Sequence, residues 1–294
     1  MEIAGHGGKV RRGEGVTRWG LHTSVAGGWV EMLARAAGMG ETAAQVFVKS
    51  NRRWEMPALS EEEREIFRKG KKAQDLWVCS HAGYLINVAG GREIRKKSIA
   101  ALAEEIVRAE ELGLEGVVVH CGSRGEGEAR VARKQAVEGF RIALERSKTR
   151  RVRLALENSA GQGTALAQDL KEWGELVHSI PRDRRAACLD TAHAFAAGYD
   201  FRTEDGRGRF LGEITREIGR ENILVIHAND SMTDCGSKVD RHEHLGHGKI
   251  GGPALRAFLG EKIWRGVPRI GELPPGERED RENLAFLRES CPKT

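Results

Sequence analysis

The sequence predicts a single (β/α)8 barrel, the TIM-barrel class, and three observations carry the prediction. Short runs of β-branched and aliphatic residues alternate with helical segments along the 294 residues, which calls for parallel strands joined by helical crossovers. Eight such units can be read, the number that closes a barrel. Residues able to bind metal recur where the predicted strands run out, and a barrel gathers the carboxyl ends of its strands into one mouth, where active sites of this class lie.

The strands are read at residues 18–22, 44–48, 76–80, 116–120, 153–157, 187–190, 223–227 and 267–272. The helices are read at 28–38, 60–73, 94–112, 129–146, 165–177, 208–218, 253–260 and 278–288. Ser60 with Glu63 makes a capping box at the start of the second helix. In the third, Ile99, Leu102, Ile106 and Leu112 form one apolar stripe, with Glu104, Glu105 and Arg108 largely opposite, and Gly113 follows as its C′ residue. No G-x-G-x-x-G follows a strand, which disfavours a dinucleotide-binding fold. No linker, repeat or low-complexity block interrupts the pattern, so one domain is expected over 18–294, after a flexible extension over 1–17.

Bulk properties narrow the class further. An apolar content of 39% suffices for a full core. The 48 Lys+Arg against 43 Asp+Glu give a net charge of +5 and a pI near 9.0, compatible with a polyanionic partner without requiring one. Five cysteines (Cys79, Cys121, Cys188, Cys235, Cys291), with no C-x-x-C pair, argue against a disulfide framework or a Cys-rich zinc site and for the reducing cytoplasm. No apolar run approaches the ~20 residues of a membrane span, and the N-terminus lacks the apolar region of a secretory signal.

Nine residues make the candidate metal set: His81, His120, Glu157, Asp190, His193, His227, Asp240, His242 and Glu272. Imidazole with carboxylate suits Zn, Mn or Fe, whereas Mg prefers oxygen alone. Asp190 ends a strand and His193 follows three residues on, so both can face the mouth. Asp240 and His242, two apart on an extended segment, share a side. His242 with His244 would chelate as well as Asp240 with His242, and His247 is close by. A single strand-end histidine is more often a hydrogen-bonded structural residue than a ligand. Independent structural residues would not, however, gather at the same end of successive strands. Cys79 and Cys188, two residues before His81 and Asp190, should share their inward face as small packing residues. His22 is expected to support a ligand rather than bind metal, and His178 to face solvent.

Six segments carry a family resemblance: GLHTSVAGG at 20–28, SHAGYLIN at 80–87, LENSAGQG at 156–163, LDTAHAFAAGYD at 189–200, HAND at 227–230 and VDRHEHLGHG at 239–248. Over most of its length from Arg18 the chain resembles endonuclease IV. The resemblance implies an apurinic/apyrimidinic endonuclease of DNA repair, with three zinc ions on a TIM barrel. Such an enzyme cuts double-stranded DNA 5′ to abasic sites, leaving a 3′-hydroxyl and a 5′-deoxyribose phosphate. It also implies that His81 and His120 hold one zinc and that Glu157 bridges it to a second. Asp190, His227 and Glu272 complete the second site, and His193, Asp240 and His242 hold the third, which resolves the histidine ambiguity. Departures from the family pattern are Cys121 after His120, Gly271 and Leu273 around Glu272, His247, and Ala82-Gly83.

The mechanism this implies is attack by a water that two zincs activate and Glu157 orients, the third zinc countering charge on the departing 3′-oxygen. Arg52, Tyr84 and Leu85 are the residues the resemblance would insert into the duplex, kinking it and extruding the abasic nucleotide. The loop 49–54 on its own reads as solvated, with Trp54 packed beneath, and Lys49 as a surface phosphate contact rather than a Schiff-base lysine. The enzyme is expected to be a monomer. Two rival readings are a sugar isomerase or epimerase on the same barrel and a non-catalytic binder of damaged DNA. Neither accounts for the third cluster.

Overall fold

Parallel strands and helices alternate and close on themselves in this computed structural model, which describes residues 16–50, 53–54 and 57–291. The elements run β1 (Trp19–Leu21), α1 (Trp29–Met39), β2 (Ala43–Val46), α2 (Glu61–Ala73), β3 (Trp77–His81), α3 (Arg92–Glu111), β4 (Gly116–His120), α4 (Ala129–Ser147) and β5 (Arg153–Glu157). They continue with α5 (Leu170–Ser179), β6 (Arg185–Asp190), α6 (Thr191–Ala197), α7 (Glu204–Glu217), β7 (Ile223–His227), β8 (Asp230–Ser231), β9 (His242–Glu243), α8 (Gly252–Leu259), β10 (Arg269–Gly271) and α9 (Glu277–Glu289). One eight-stranded sheet has the order β1-β10-β7-β6-β5-β4-β3-β2, all pairs parallel. Its two ends meet: Thr42 N–H donates to Trp19 O at 2.9 Å and Thr23 N–H to Gln45 O at 2.8 Å. The barrel is closed, as the sequence predicts. Among the described residues no helix is long and apolar enough to cross a membrane.

Because both faces of a closed parallel sheet are buried, its strands are apolar almost throughout, and alternation divides them into two cores. Ala43, Cys79, Val118, Ala155, Ala186, Cys188, Val225 and Ile270 fill the interior. Ala44, Val46, Val78, Val117, Val119, Leu154, Leu156, Leu189 and Ile226 pack outward with Leu102, Ile106, Phe140, Trp173 and Phe258 of the helices. Cys79 and Cys188 are packing residues, as expected.

The Ser60–Glu63 capping box forms, with both hydrogen bonds present, and Gly113 takes the left-handed conformation after α3. Other expectations need correction. Helix α5 begins at Leu170 rather than 165, because the Asp169 side chain caps it by accepting Glu172 N–H, while Leu166 N–H turns away to Gly122 O. Helix α7 begins at Glu204 rather than 208, capped by Thr203. The short α6 and the β8–β9 ladder have no counterpart in the sequence pattern; both are too brief for a periodic signal. On α3, two residues opposite the apolar stripe, Glu105 and Arg108, are themselves buried. Gly83 N–H donates to the Glu105 carboxylate at 3.2 Å, Lys49 Nζ lies 3.6 Å from Glu105 Oε1, and Arg108 donates to Val48 O and Pro57 O. The loops after β2 and β3 fold down over this face. Lys49 is therefore a buried ion-pair partner, not a surface phosphate contact, and its ammonium also donates to Trp54 O at 3.0 Å.

Closure depends on Gly20, where an added Cβ would sit 1.6 Å from Ala43 O. Gly20→Ala should therefore destabilise the fold by ~3 kcal/mol or more, the upper end of ordinary overpacking. Urea unfolding checks this; a midpoint within error of the parent would show that β1 and β2 can separate without cost.

Candidate metal centre

Side chains two residues apart on a strand share a face, so each residue two beyond an interior-facing one continues the barrel's inner wall. Cys79 leads to His81, Val118 to His120, Ala155 to Glu157, Cys188 to Asp190, Val225 to His227 and Ile270 to Glu272. Ala43 leads likewise to Gln45, and Gly20 to His22. The uppermost inward layer of the barrel is thus polar on all eight strands. The remaining three donors come from above it: His193 from α6, Asp240 from the β8–β9 loop and His242 from β9. All nine predicted donors converge at one end.

Glu157 lies at the centre, fully buried. Its Oε2 is 3.2 Å from both His81 Nε2 and His120 Nε2, and its Oε1 is 2.9 Å from His227 Nδ1. His227 Nδ1 is in turn 3.1 Å from Glu272 Oε2 and 3.9 Å from Asp190 Oδ2. On the far side, Asp240 places Oδ2 3.2 Å from His193 Nε2 and Oδ1 3.3 Å from His242 Nε2. Asp190 Oδ2 reaches this group too, 3.6 Å from His242 Nε2. Three adjoining clusters result: His81–His120–Glu157, Glu157–Asp190–His227–Glu272, and Asp190–His193–His242 with Asp240 beside it.

The imidazoles are aimed by what holds their outer nitrogens. His81 Nδ1 donates to Ala82 O at 2.7 Å, His193 Nδ1 to Asn158 O at 2.9 Å and His242 Nδ1 to Glu272 O at 2.7 Å. His227 Nε2 faces Gln45 Oε1 at 2.8 Å. A carbonyl can only accept, so the outer nitrogen carries a hydrogen and the inner nitrogen is the one turned toward the cluster, where it can offer its lone pair to a cation once no proton sits on it, as metal-binding histidines require. His193 Nε2 and His242 Nε2 are buried with no hydrogen-bond partner, although carboxylate oxygens stand close by. Lone pairs and carboxylates facing a shared space fit a transition-metal cation such as zinc.

The electrostatics agree. Burial opposes charge on Glu157 and Glu272, yet the neighbouring imidazoles, His227 foremost, hold both carboxyls well below the usual range. Asp240 is lowered to about 2, against its burial, mainly by His193. Burial likewise opposes protonation of His120 and His193, and the surrounding carboxylates outweigh it, raising both; His227 is raised as well, against its burial, by the Cys188 sulfur first and then by Glu272 and Glu157. Cys188 approaches Glu157 and His227, and burial pushes its thiol far up.

Of the other expected residues, Tyr84 and Leu85 stand exposed at the rim, the Tyr84 ring 6.5 Å from that of His120. Arg52 lies outside the described residues, as do residues 1–15 of the expected N-terminal extension. His22 plays the supporting part anticipated, its Nδ1 3.2 Å from Glu272 Oε1. His178 is exposed, and His244 turns away to Asn283, so the residue paired with His242 is Asp240. The departures at Cys121 and Gly271 are accommodated by packing: the Cys121 thiol faces Glu157 O, and an added Cβ at Gly271 would lie 2.9 Å from Leu21.

Sequence reasoning missed Gln45, Asn158 and Asn229 as organisers of the site. The Gln45 amide bridges His227 and Glu272. Asn158 exchanges hydrogen bonds with the Asp190 backbone. Asn229 donates to Asp190 Oδ2 at 2.7 Å and accepts Glu272 N–H at 2.8 Å. The available signal was a polar residue inside an apolar strand, as at Gln45, since a buried amide must find partners.

The family described as "Xylose isomerase-like TIM barrel" matches residues 33–290. The chain is 41% identical over 274 residues to "Endonuclease 4" of Thermus thermophilus, covering 92% of this chain and 97% of that protein. It is 38% identical over 277 residues to "Probable endonuclease 4" of Chloroflexus aurantiacus, with the same two coverages. Among solved structures, an endonuclease IV from Thermus thermophilus superposes with a TM-score of 0.85 at 39% identity, covering 93% of this chain and 98% of that one.

Because the surroundings of His120, His193 and His227 favour a proton on each in the metal-free chain, cations must compete with protons to bind. Apparent affinity should rise with pH until these raised imidazole pKa values are passed, then level off. Calorimetric titration with Zn2+ at pH 7 in buffers of different ionisation enthalpy should show net proton release. Heats independent of the buffer would mean that the imidazoles are already neutral.

Proposed function

This chain belongs to the endonuclease IV family, and from that premise we propose that it is a DNA-repair hydrolase, cutting the phosphodiester 5′ to abasic sites in duplex DNA and leaving a 3′-hydroxyl and a 5′-deoxyribose phosphate. It does so with three zinc ions. What supports the reading is that eight of the nine donors gather in three groups joined through Glu157 and Asp190, with Asp240 3.2 Å from His193 Nε2 and 3.3 Å from His242 Nε2. His81, His120 and Glu157 would hold one ion; Glu157, Asp190, His227 and Glu272 the second; His193, Asp240 and His242 the third.

Bound there, the ions supply neutralisation of an anionic phosphodiester and acidification of the attacking water. The chain's own residues do the rest. Glu157, ionised and gripped by imidazoles on both oxygens, orients the nucleophile between the first two clusters. His193, Asp240 and His242 face the side from which the 3′-oxygen departs. Tyr84 and Leu85 at the rim, with Arg52, enter the duplex and stand in for the missing base. Extrusion costs least where a nucleotide is already unstacked, which gives selectivity for the lesion without base readout. Residues 18–294 act as one catalytic unit, monomeric and cytoplasmic. A sugar isomerase on the same barrel would leave the third cluster without a purpose.

A duplex carrying one tetrahydrofuran abasic analogue tests the reading. Incision on its 5′ side is expected, and Glu157→Gln should lower the rate by at least ~10²-fold, the scale set by losing one preorganised electrostatic group. Turnover of free sugars with an intact duplex would instead establish the isomerase, and a gel shift without cutting the binder.

A further inference from the structure

Asp230 is not among the nine donors, yet it is fully buried and wrapped in backbone N–H groups. Ser231 donates to its carboxylate at 2.8 Å, Gly246 at 3.1 Å, Gly248 and Ile250 at 3.0 Å and Gly251 at 3.3 Å. A buried carboxylate is tolerated only when fully compensated, and hydrogen bonds to a charged acceptor are the strong ones. Four of the five donors come from residues 246–251, so this loop is folded around the Asp230 side chain. The fit is tight: an added Cβ at Gly248 would lie 2.4 Å from Ser231 O and 2.6 Å from Asp230 Oδ1.

This loop is connected to the third cluster on both sides. Asp230 and Ser231 form β8, which pairs antiparallel with β9, Asp230 opposite Glu243 and Ser231 opposite His242. Met232 N–H extends the ladder to Arg241 O at 3.0 Å, and Lys249 N–H donates to Ser231 O at 2.7 Å. Both Asp240 and His242 are thus carried on a segment whose placement is set by β8. His193 is not: it stands on α6, capped by Asp190. The donors of the first cluster all end barrel strands.

We infer that Asp230 is a positioning residue for the third cation site: its carboxylate folds residues 246–251 into a cradle that fixes the β8–β9 ladder and so holds Asp240 and His242 against His193. This rests on the three-ion reading above and adds to it a residue that touches neither metal nor substrate. Disturbing Asp230 removes two of the third site's three donors from their places while leaving His81, His120 and Glu157 as they are.

The test is zinc per chain and apparent affinity, measured by elemental analysis over graded free Zn2+, on the full chain and two variants. Asp230→Asn exchanges an accepting oxygen for an NH2 that faces N–H donors. Gly248→Ala pushes on the same cradle without changing any charge, and carries the test if Asp230→Asn does not fold. Wild type should take up three ions. Each folded variant should keep two with unchanged affinity and bind the third ~10–100-fold more weakly, the usual cost of losing a group that orients ligands. In Co2+-loaded protein the visible absorption of one site should change while the rest persists. Three ions at wild-type affinity in a folded variant would overturn the inference, as would loss of all three together. Fewer than three in the wild type would instead overturn the three-ion reading beneath it.

Discussion

Glu157 and Asp190, both buried, and the half-buried Glu272 turn three carboxylates into one space shared with His81, His193 and His227, and the arrangement of the mouth follows from this. A buried carboxylate without a counter-charge costs several kcal/mol, so the set is stable only with protons on its imidazoles or cations between them. In the metal-free chain the balance of charge pushes the pKa of His193 and His227 upward, toward holding a proton. The same charge pattern that raises those histidines is what attracts divalent ions, and binding exchanges one kind of positive charge for another.

Such a site needs rigid support, because a ligand that can swing away gives its charge back to water. The support here is a layer of hydrogen bonds facing outward from the donors. Backbone carbonyls of Ala82, Asn158 and Glu272 fix three imidazoles, while Gln45 and Asn229 tie neighbouring strands together through their amides. These partners belong to strands and strand ends, so barrel closure at Gly20 and ligand geometry are parts of one construction. The rim is built differently. Lys49, Glu105 and Arg108 pin the loops after β2 and β3 to α3, so that Tyr84 and Leu85 project from a braced support.

The barrel and its donors were legible in the sequence because both follow from simple periods. Alternation along strands and the placement of His81, His120, Glu157, Asp190 and His227 at strand ends leave a linear trace. The less legible parts depend on contacts between distant segments. Glu105 and Arg108 look like the wet side of an amphipathic helix until loops from β2 and β3 are laid over them. Helix α5 starts late because Asp169 caps it and the preceding residues bond across the mouth, neither of which periodicity records. Asp230 reads as part of a short motif; that five N–H groups converge on it is a property of the folded loop alone.

Asp190 has two attachments. One oxygen, Oδ1, accepts His193 N–H at 2.7 Å and starts α6; the other lies among His227, His242 and Asn229. The second and third clusters therefore share a side chain that is also a helix cap. No single replacement at this position alters one cluster and spares its neighbour. At Asp190 itself, then, the two neighbouring pockets and the start of the helix stand or fall together.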